Sequence, residues 1–412
     1  MLVVVDTTCI KRPRENRTIR YDPDDYHWLV GPEAAPWLAE LSGSHRPVEH
    51  VARLRRHLSA ERTHLVVEQV ELRSRAVAKF ARAGQMFFTR VGLEQATDEV
   101  VARHKAARFA PAATADLCCG IGGDLLALAG RGPTVGIDRD PIACLLADAN
   151  LRACGIEPSV ARLITGEVSV EMLDACGAWH IDPDRRPQGR RTTQTALHEP
   201  GPATIAALLA HAPAGAVKLA PAAEFDEPWW LEAELEWIAS RGECRQLVAW
   251  FGPLARHAGR RVATIVSTSG LARTLIESDC EPASIAANIG RYVCEPDPAV
   301  LAAELLDTLA SEHGLERVAA RVAYLTGDHA PDEPALDAFE VLEVFPCDLK
   351  RLKVAARARG WGRVEVKKRG VELDPAHVAK QLRGPGKNTG TVILTPTERG
   401  VVAVLARRVA KA

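Results

Sequence analysis

No run of apolar residues in this sequence of 412 approaches the roughly 18 that a membrane-crossing helix requires, so no membrane partner is expected. The opening stretch MLVVVDTTCIKRPRENR has its basic residues after a very short apolar run. That is the reverse of a secretory signal, and the expected location is cytoplasmic. Ten cysteines are present, but eight stand alone and only Cys118 and Cys119 are close together. Neither C-x-x-C nor H-x-E spacing occurs, which argues against a zinc site; no metal is expected, and the thiols read as small, reduced, apolar groups. There is no internal repeat.

Hydrophobic residues make up 47% and charged residues 25% of the chain, the balance of an ordinary globular protein. The length points to two or three domains. A net charge of −1 conceals an asymmetry. From Glu340 to Ala412 there are 16 Lys and Arg against 7 Asp and Glu, a local +9; the remainder holds 36 against 46, or −10. A basic module on an acidic body suits a polyanionic partner, although the two parts could also simply attract one another.

Residues from about Pro47 to Phe109 have near-helical apolar spacing, with Gly84 as a stop. From Ala112 to about Ser269, strand-like runs (TADLC, TVGID, ARLIT, AWHID, AVKLA, QLVAWF, RVATIVS) alternate with helical ones. This predicts an α/β fold, a parallel sheet with helices on both faces. A long Arg- and Pro-rich interval, Pro183 to Pro202, follows the fourth strand; loops of that length are usually functional or mobile. The C-terminal stretch reads β-α-β-α-β, a small α+β domain. The expected organisation is a helical region over 1–110, a Rossmann-like domain over 111–270, a connecting region over 271–335 and a basic domain over 336–412.

DLCCGIGGDLLALAG follows a predicted strand and opens a helix. Gly120, Gly122 and Gly123 would make the tight turn that lets backbone approach a ligand. The second strand ends at Asp138, 22 residues beyond Asp116, where a carboxylate can accept from both hydroxyls of a ribose. A strand before, a helix after, a second strand and its terminal acid together predict a nucleotide site. Two features argue against a dinucleotide: Leu125 stands where the third glycine would be, and an acid ends the first strand.

D-x-C-x-G-x-G with the downstream acid resembles motif I of class I S-adenosylmethionine-dependent methyltransferases. Upstream, GQMFFTRVGLEQATDEVVARHKAARF resembles the segment that closes over cofactor and substrate in the trimethylguanosine-synthase-like group. With AVKLAP, AWFG and VEVKKRGVELDP, the chain from about Arg53 onward resembles bacterial methyltransferases that carry a THUMP-like C-terminal domain. The resemblance implies S-adenosylmethionine as cofactor. Asp116 would hold its methionine end, Gly120 and Gly122 would give backbone room, and Asp138 would take the ribose. Glu167 stands where adenine is often recognised, or is a solvated turn carboxylate. Thr97 and Asp98 match the closing segment in position only.

Methyl transfer needs an aligned nucleophile and exclusion of water. A base amine also needs a hydrogen-bond acceptor, expected at the end of the fourth strand in HIDPDRR: Asp182, with Pro183 stiffening the turn. Amino-methylating relatives place Pro-Pro-aromatic after this acid, whereas here Asp182 is followed by Pro183, Asp184, Arg185 and Arg186. Stacking would then fall to Phe87, Phe88 or an arginine plane, the alternative for the two phenylalanines being core packing. Arg185, Arg186, Arg190 and Arg191 would clamp phosphate, or form a solvated charge run. THUMP domains help RNA-modifying enzymes hold structured RNA, so the basic domain implies an RNA partner, with Lys350, Arg351, Lys353, Arg357, Lys367, Lys368, Arg369 and Lys387 as candidate contacts to the phosphate backbone and Trp361 as core. The leading expectation is methylation of a base amine in tRNA or rRNA. The alternatives are a small-molecule or protein acceptor, and a catalytically silent RNA-binding protein. Oligomeric state is not legible.

Overall fold

The computed structural model describes residues 22–43, 46–185, 192–224 and 227–410, in two compact units, Met1–Gln95 and Ala96–Ala412. In the first unit, α1 (Pro23–Val30), α2 (Ala35–Leu41), α3 (Val51–Leu54) and α4 (Ala60–Ala76) enclose Leu29, Leu38, Leu41, Leu54, Leu65 and Val66, and α5 (Arg90–Gln95) follows. Asp22 and Ser59 start α1 and α4 by accepting from the backbone N–H of Asp24 and Arg62. The helical expectation from Pro47 is interrupted after α4. Met86–Phe88 is not helical, and there the buried Gln69 donates to the Met86 carbonyl (3.3 Å) and accepts from Phe88 N–H (3.1 Å). A buried amide that serves backbone this way removes the need for helical hydrogen bonds there.

In the second unit the chain enters through α6 (Glu99–Ala106) and builds a nine-stranded sheet in the order β3-β2-β1-β4-β5-β7-β6-β8-β9. Strands β1 (Thr114–Leu117), β2 (Thr134–Asp138), β3 (Ala161–Thr165), β4 (Ala178–Ile181) and β5 (Gly215–Leu219) are parallel. Helices α7 (Leu125–Ala129), α8 (Pro141–Ala153) and α9 (Pro202–His211) lie between them in sequence. Beyond β5 the expected parallel pattern ends. β6 (Glu234–Ser240) and β7 (Glu243–Trp250) form a hairpin, and β7 inserts antiparallel between β5 and β6. Arg241 and Gly242 at the turn have φ of 55° and 74°, the two left-handed residues that a tight hairpin of this twist requires. β8 (Arg261–Val266) and β9 (Ala272–Ile276) complete the sheet.

Residues 271–335, expected to be a connecting region, are themselves structured. They supply β9, then β10 (Tyr292–Pro296), α10 (Pro298–Ala302), α11 (Leu306–His313), β11 (Glu316–Ala319) and β12 (Val322–Gly327). β10, β11 and β12 share a seven-stranded sheet with β13 (Leu336–Pro346), β14 (Trp361–Lys368), β15 (Asn388–Thr397) and β16 (Gly400–Arg408), in the order β11-β12-β10-β13-β16-β15-β14. Helices α12 (Leu349–Ala358) and α13 (Pro375–Leu382) cover one part of that sheet, around Phe345, Leu352, Val364, Val378 and Leu382. Trp361 is core: its ring lies over Gly390, where a Cβ would come within 2.1 Å of it. Among the described residues no helix is long and apolar enough to cross a membrane.

Glu234 and Glu236 of β6 are fully buried. Arg108, just past α6, reaches both, at 2.6 and 3.0 Å, and lies 4.4 Å over the Trp250 ring. His104, Thr264 and Trp250 add bonds to Glu236 at 2.8, 2.6 and 2.8 Å, and the backbone N–H groups of Arg256 and His257 serve Glu234. Burial alone would raise the Glu236 pKa, but His104, Arg108 and Thr264 hold it at about 2, below its ordinary 4.5. A carboxyl depressed in this way contributes stability above pH 4.5, and the contribution is lost as pH falls toward 2. Urea unfolding between those limits should show the wild type losing about 3 kcal/mol more than Glu236→Gln. Equal slopes of stability against pH would contradict the pairing.

Candidate functional site

The loop after β1 is shaped by three residues of positive φ, Cys118 (57°), Gly120 (54°) and Gly122 (91°). A Cβ on Gly120 would project into open space, so a ligand can approach its backbone, whereas Gly122 and Gly123 pack against Ala147 and Thr97. Asp138 at the tip of β2 accepts from Gly120 N–H at 2.8 Å and from Asp140 N–H at 2.9 Å. The glycine turn and the β2 acid are thus fixed to each other, and burial raises the Asp138 pKa. Asp140 then caps α8, with Pro141 at its first position.

Beneath the strand tips lies a chain of buried ionisable groups. Asp116 of β1 meets His180 of the neighbouring β4, Oδ1 to Nδ1, at 2.7 Å. The other face of the imidazole, Nε2, lies 3.1 Å from Lys105 Nζ of α6. Lys105 pairs at 2.7 Å with Asp124, which also accepts from Thr97 Oγ1 at 2.7 Å. Lys218 of β5 lies 3.9 Å from Asp124 and 2.5 Å from Asp182, just past β4. Lys105 and Lys218 are only 2% and 5% exposed, so these ammonium groups have no recourse to water. Burial opposes charge on Asp124, but Lys105, His180 and Lys218 more than offset it and hold its carboxyl below the usual range. Burial likewise disfavours the Lys218 cation, and Asp182 and Asp124 reverse this, leaving its pKa raised. Asp116 is raised chiefly by burial, and its Oδ2 is buried with no hydrogen-bond partner among the described residues.

A profile for THUMP domain-like regions matches residues 336–408, from β13 to β16, and one for a domain of unknown function matches 22–76. An uncharacterized S-adenosylmethionine-dependent methyltransferase of Mycobacterium tuberculosis, known from strains CDC 1551 / Oshkosh and ATCC 25618 / H37Rv, is 34% identical over 349 residues. That alignment covers 81% of this chain and 93% of the relative. The chain belongs to the S-adenosylmethionine-dependent methyltransferases. The crystal structure of a candidate methyltransferase from Porphyromonas gingivalis W83 has the same fold, with a TM-score of 0.77 at 19% identity over 95% of this chain and 100% of that one.

The residues fit the methyltransferase cofactor. Asp116 Oδ2, buried with no hydrogen-bond partner among the described residues, would take the ammonium of the methionine end. Gly120 leaves the space, and Asp138, oriented by two backbone donors, would accept from ribose. Glu167, two residues past the end of β3, is exposed. Thr97 joins the buried chain through Asp124, whereas Asp98 caps α6 by accepting from Val101 N–H.

Pro183 is buried and Arg185 half-buried after Asp182; Arg186, Arg190 and Arg191 lie outside the described residues. Phe87 and Phe88 belong to the first unit. There Phe88 is 2% exposed and faces Phe80 at 5.9 Å, while Arg73 lies 4.9 Å over Phe87, which is the core-packing alternative rather than an open stacking pair. Lys367 is not free for RNA, since it pairs with Glu295 at 2.5 Å; Lys368 is exposed. One acid–histidine group, Glu312, His313 and Glu333, has ligand atoms within 4.8 Å of each other, but Arg273 bonds both acids and fills the role of cation.

Lys105, Asp124, His180 and Lys218 went unread in the sequence. The available signal was a lysine inside the apolar run AVKLA, a position that demands an acidic partner. Asp138→Ala should weaken S-adenosylmethionine binding by about 1–3 kcal/mol, the value of a lost charge-assisted hydrogen bond. Isothermal titration checks this, and unchanged affinity would place the ribose elsewhere.

Proposed function

We propose that this methyltransferase acts on RNA at an exocyclic amine of a base, with Asp182 as the acceptor that orients the amine. The observation that carries this reading is the Asp182–Lys218 pair, 2.5 Å apart, at the end of β4 beside the cofactor loop. Lys218 fixes Oδ2, leaving Oδ1 to accept from an incoming N–H. Bound S-adenosylmethionine supplies a methyl group on a positively charged sulfonium, open to in-line displacement. Because Lys218 already matches the charge of Asp182, and the field of Arg185 reaches Lys218, the position suits a neutral N–H donor on an anionic scaffold. A cationic amine would gain little there. A base amine on a phosphate chain meets both conditions.

The turn is braced for this role. Asp182 N–H donates to the Leu117 carbonyl at 3.2 Å, tying the acid to the tip of β1. Pro183 fixes its own φ and offers no competing N–H. Asp184 and Glu199 exchange backbone hydrogen bonds, and Arg139, one residue past β2, reaches both of their side chains. The THUMP-like match supports an RNA partner, since such domains help modifying enzymes hold structured RNA.

Asp182→Ala should reduce methyl transfer to RNA by at least about 10²-fold while cofactor affinity by titration stays near wild type. Retained turnover would move the chemistry elsewhere. Nucleoside mass spectrometry of RNA from cells lacking the protein should show one amine-methylated base missing; an unaltered set of nucleosides would remove RNA as the acceptor.

A further inference from the structure

In the basic C-terminal region most strand cations are paired, whereas those of the helices are not, among the described residues. On the strands, Lys367 and Arg369 pair with Glu295 at 2.5 and 3.5 Å, Arg407 pairs with Glu340, and Arg408 pairs with Asp337 and Glu365 at 2.5 and 3.0 Å. These charges are met within the fold, while Arg363 and Lys368 of β14 are exposed with no ion-pair partner among the described residues. On α12, Lys350, Arg351, Lys353 and Arg357 are exposed and have no ion-pair partner among the described residues. Lys380 of α13 and the following Arg383 and Lys387 are likewise exposed without one. The helices bury Leu352, Ala356, Val378 and Leu382 against β14 and β15, so their basic faces turn to solvent together. Lys350, Lys353 and Arg357 stand three and four residues apart, on one face of α12.

Between α12 and β13 lies an open cleft of about 420 Å³. Its floor is Phe345, itself 5% exposed, with the Arg351 guanidinium 5.2 Å over the ring. Because Arg351 is exposed, the outer face of that planar cation is available to a further flat group. Val354, 70% exposed, forms an apolar wall, and the Arg359–Glu343 pair at 2.8 Å sets donors and an acceptor at the rim. A stacking plane, an apolar wall, a polar edge and a row of unmatched cations are the four requirements of an unpaired nucleotide within a phosphate chain. An acidic peptide would use the cations but leave the stack and wall without purpose.

We propose that the α12–α13 layer is the surface that binds the RNA substrate, with the α12–β13 cleft holding one unpaired nucleotide. This rests on the RNA reading above, and places the binding face on the helices rather than on the Lys367–Lys368 strand.

The test is fluorescence anisotropy of the full chain with a labelled single-stranded RNA 12-mer and with an RNA duplex, across a salt series. Lys350→Glu/Lys353→Glu/Arg357→Glu should weaken single-strand binding at least tenfold. It should also flatten the log–log salt slope by about 2, since each phosphate that a cation neutralises on a single strand adds about 0.7 to that slope. Arg351→Ala should weaken the single strand about fivefold or more and the duplex less, as expected when a stacking partner is removed. Lys368→Glu, on the strand side, is the competing arm and should have the smaller effect. Circular dichroism confirms that each variant is folded. Wild-type binding that survives the triple reversal, or falls only with Lys368→Glu, overturns the surface while leaving the RNA reading intact. No binding by the wild type even at low salt overturns both.

Discussion

One helix of eight residues, α6, carries Lys105 and His104, side chains on which both halves of the main sheet close. Lys105 turns to one side and neutralises Asp124 while touching His180, which fixes the tips of β1 and β4. His104, with Arg108 just past the helix end, turns to the other side and satisfies the two buried glutamates of β6. Unpaired, any of these buried charges would be strongly destabilising, so their mutual satisfaction admits very few arrangements of the strands. The helix that closes the β6–β8 side therefore also sets the position of the acid beneath the glycine loop.

That constraint explains why the glycine turn can be so open. Gly120 leaves space that nothing in its own loop fills, and such a loop would have little to hold its shape. The loop is held from outside instead: Asp138 bonds Gly120 N–H, Gly123 lies against Thr97, and Thr97 bonds Asp124. Asp124 meets Lys218, which meets Asp182. From Asp116 to Asp182 the ionisable groups form one connected series, so the acid proposed for the cofactor and the acid proposed for the acceptor share an electrostatic environment.

Legibility in the sequence followed how local the signal was. TVGID and ARLIT match β2 and β3 residue for residue, and the turn, the β2 acid and the Asp140–Pro141 helix start were readable because each is set by neighbours in the chain. β6 was missed because ELEWIAS places two glutamates inside, and burial of an acid is intelligible only once Arg108, some 126 residues earlier, is seen beside it. Separation in sequence also hid the contact between Lys105 and His180, 75 residues apart. The parallel expectation failed at β7, since no periodicity distinguishes a strand that inserts antiparallel from one that continues the series. Phe87 and Phe88 read equally as stack or core, and only the packing of Phe80 and Arg73 decided between them.

Charge counting shows a different limit. The +9 of the final 73 residues suggested a polyanion-binding module, and Lys367 and Lys368 looked as suitable as any other cation in it. Yet an exposed cation that already has a carboxylate at hydrogen-bond distance releases few counterions when phosphate arrives, because its field is largely cancelled beforehand. Composition supplies only the sum; the fold decides which members of the sum remain unmatched. Here β10 and β13 contribute Glu295, Asp337 and Glu340 to the strand cations, and nothing comparable reaches the basic faces of α12 or α13 among the described residues. The binding face of such a domain is therefore set as much by where its acids lie as by where its lysines and arginines do.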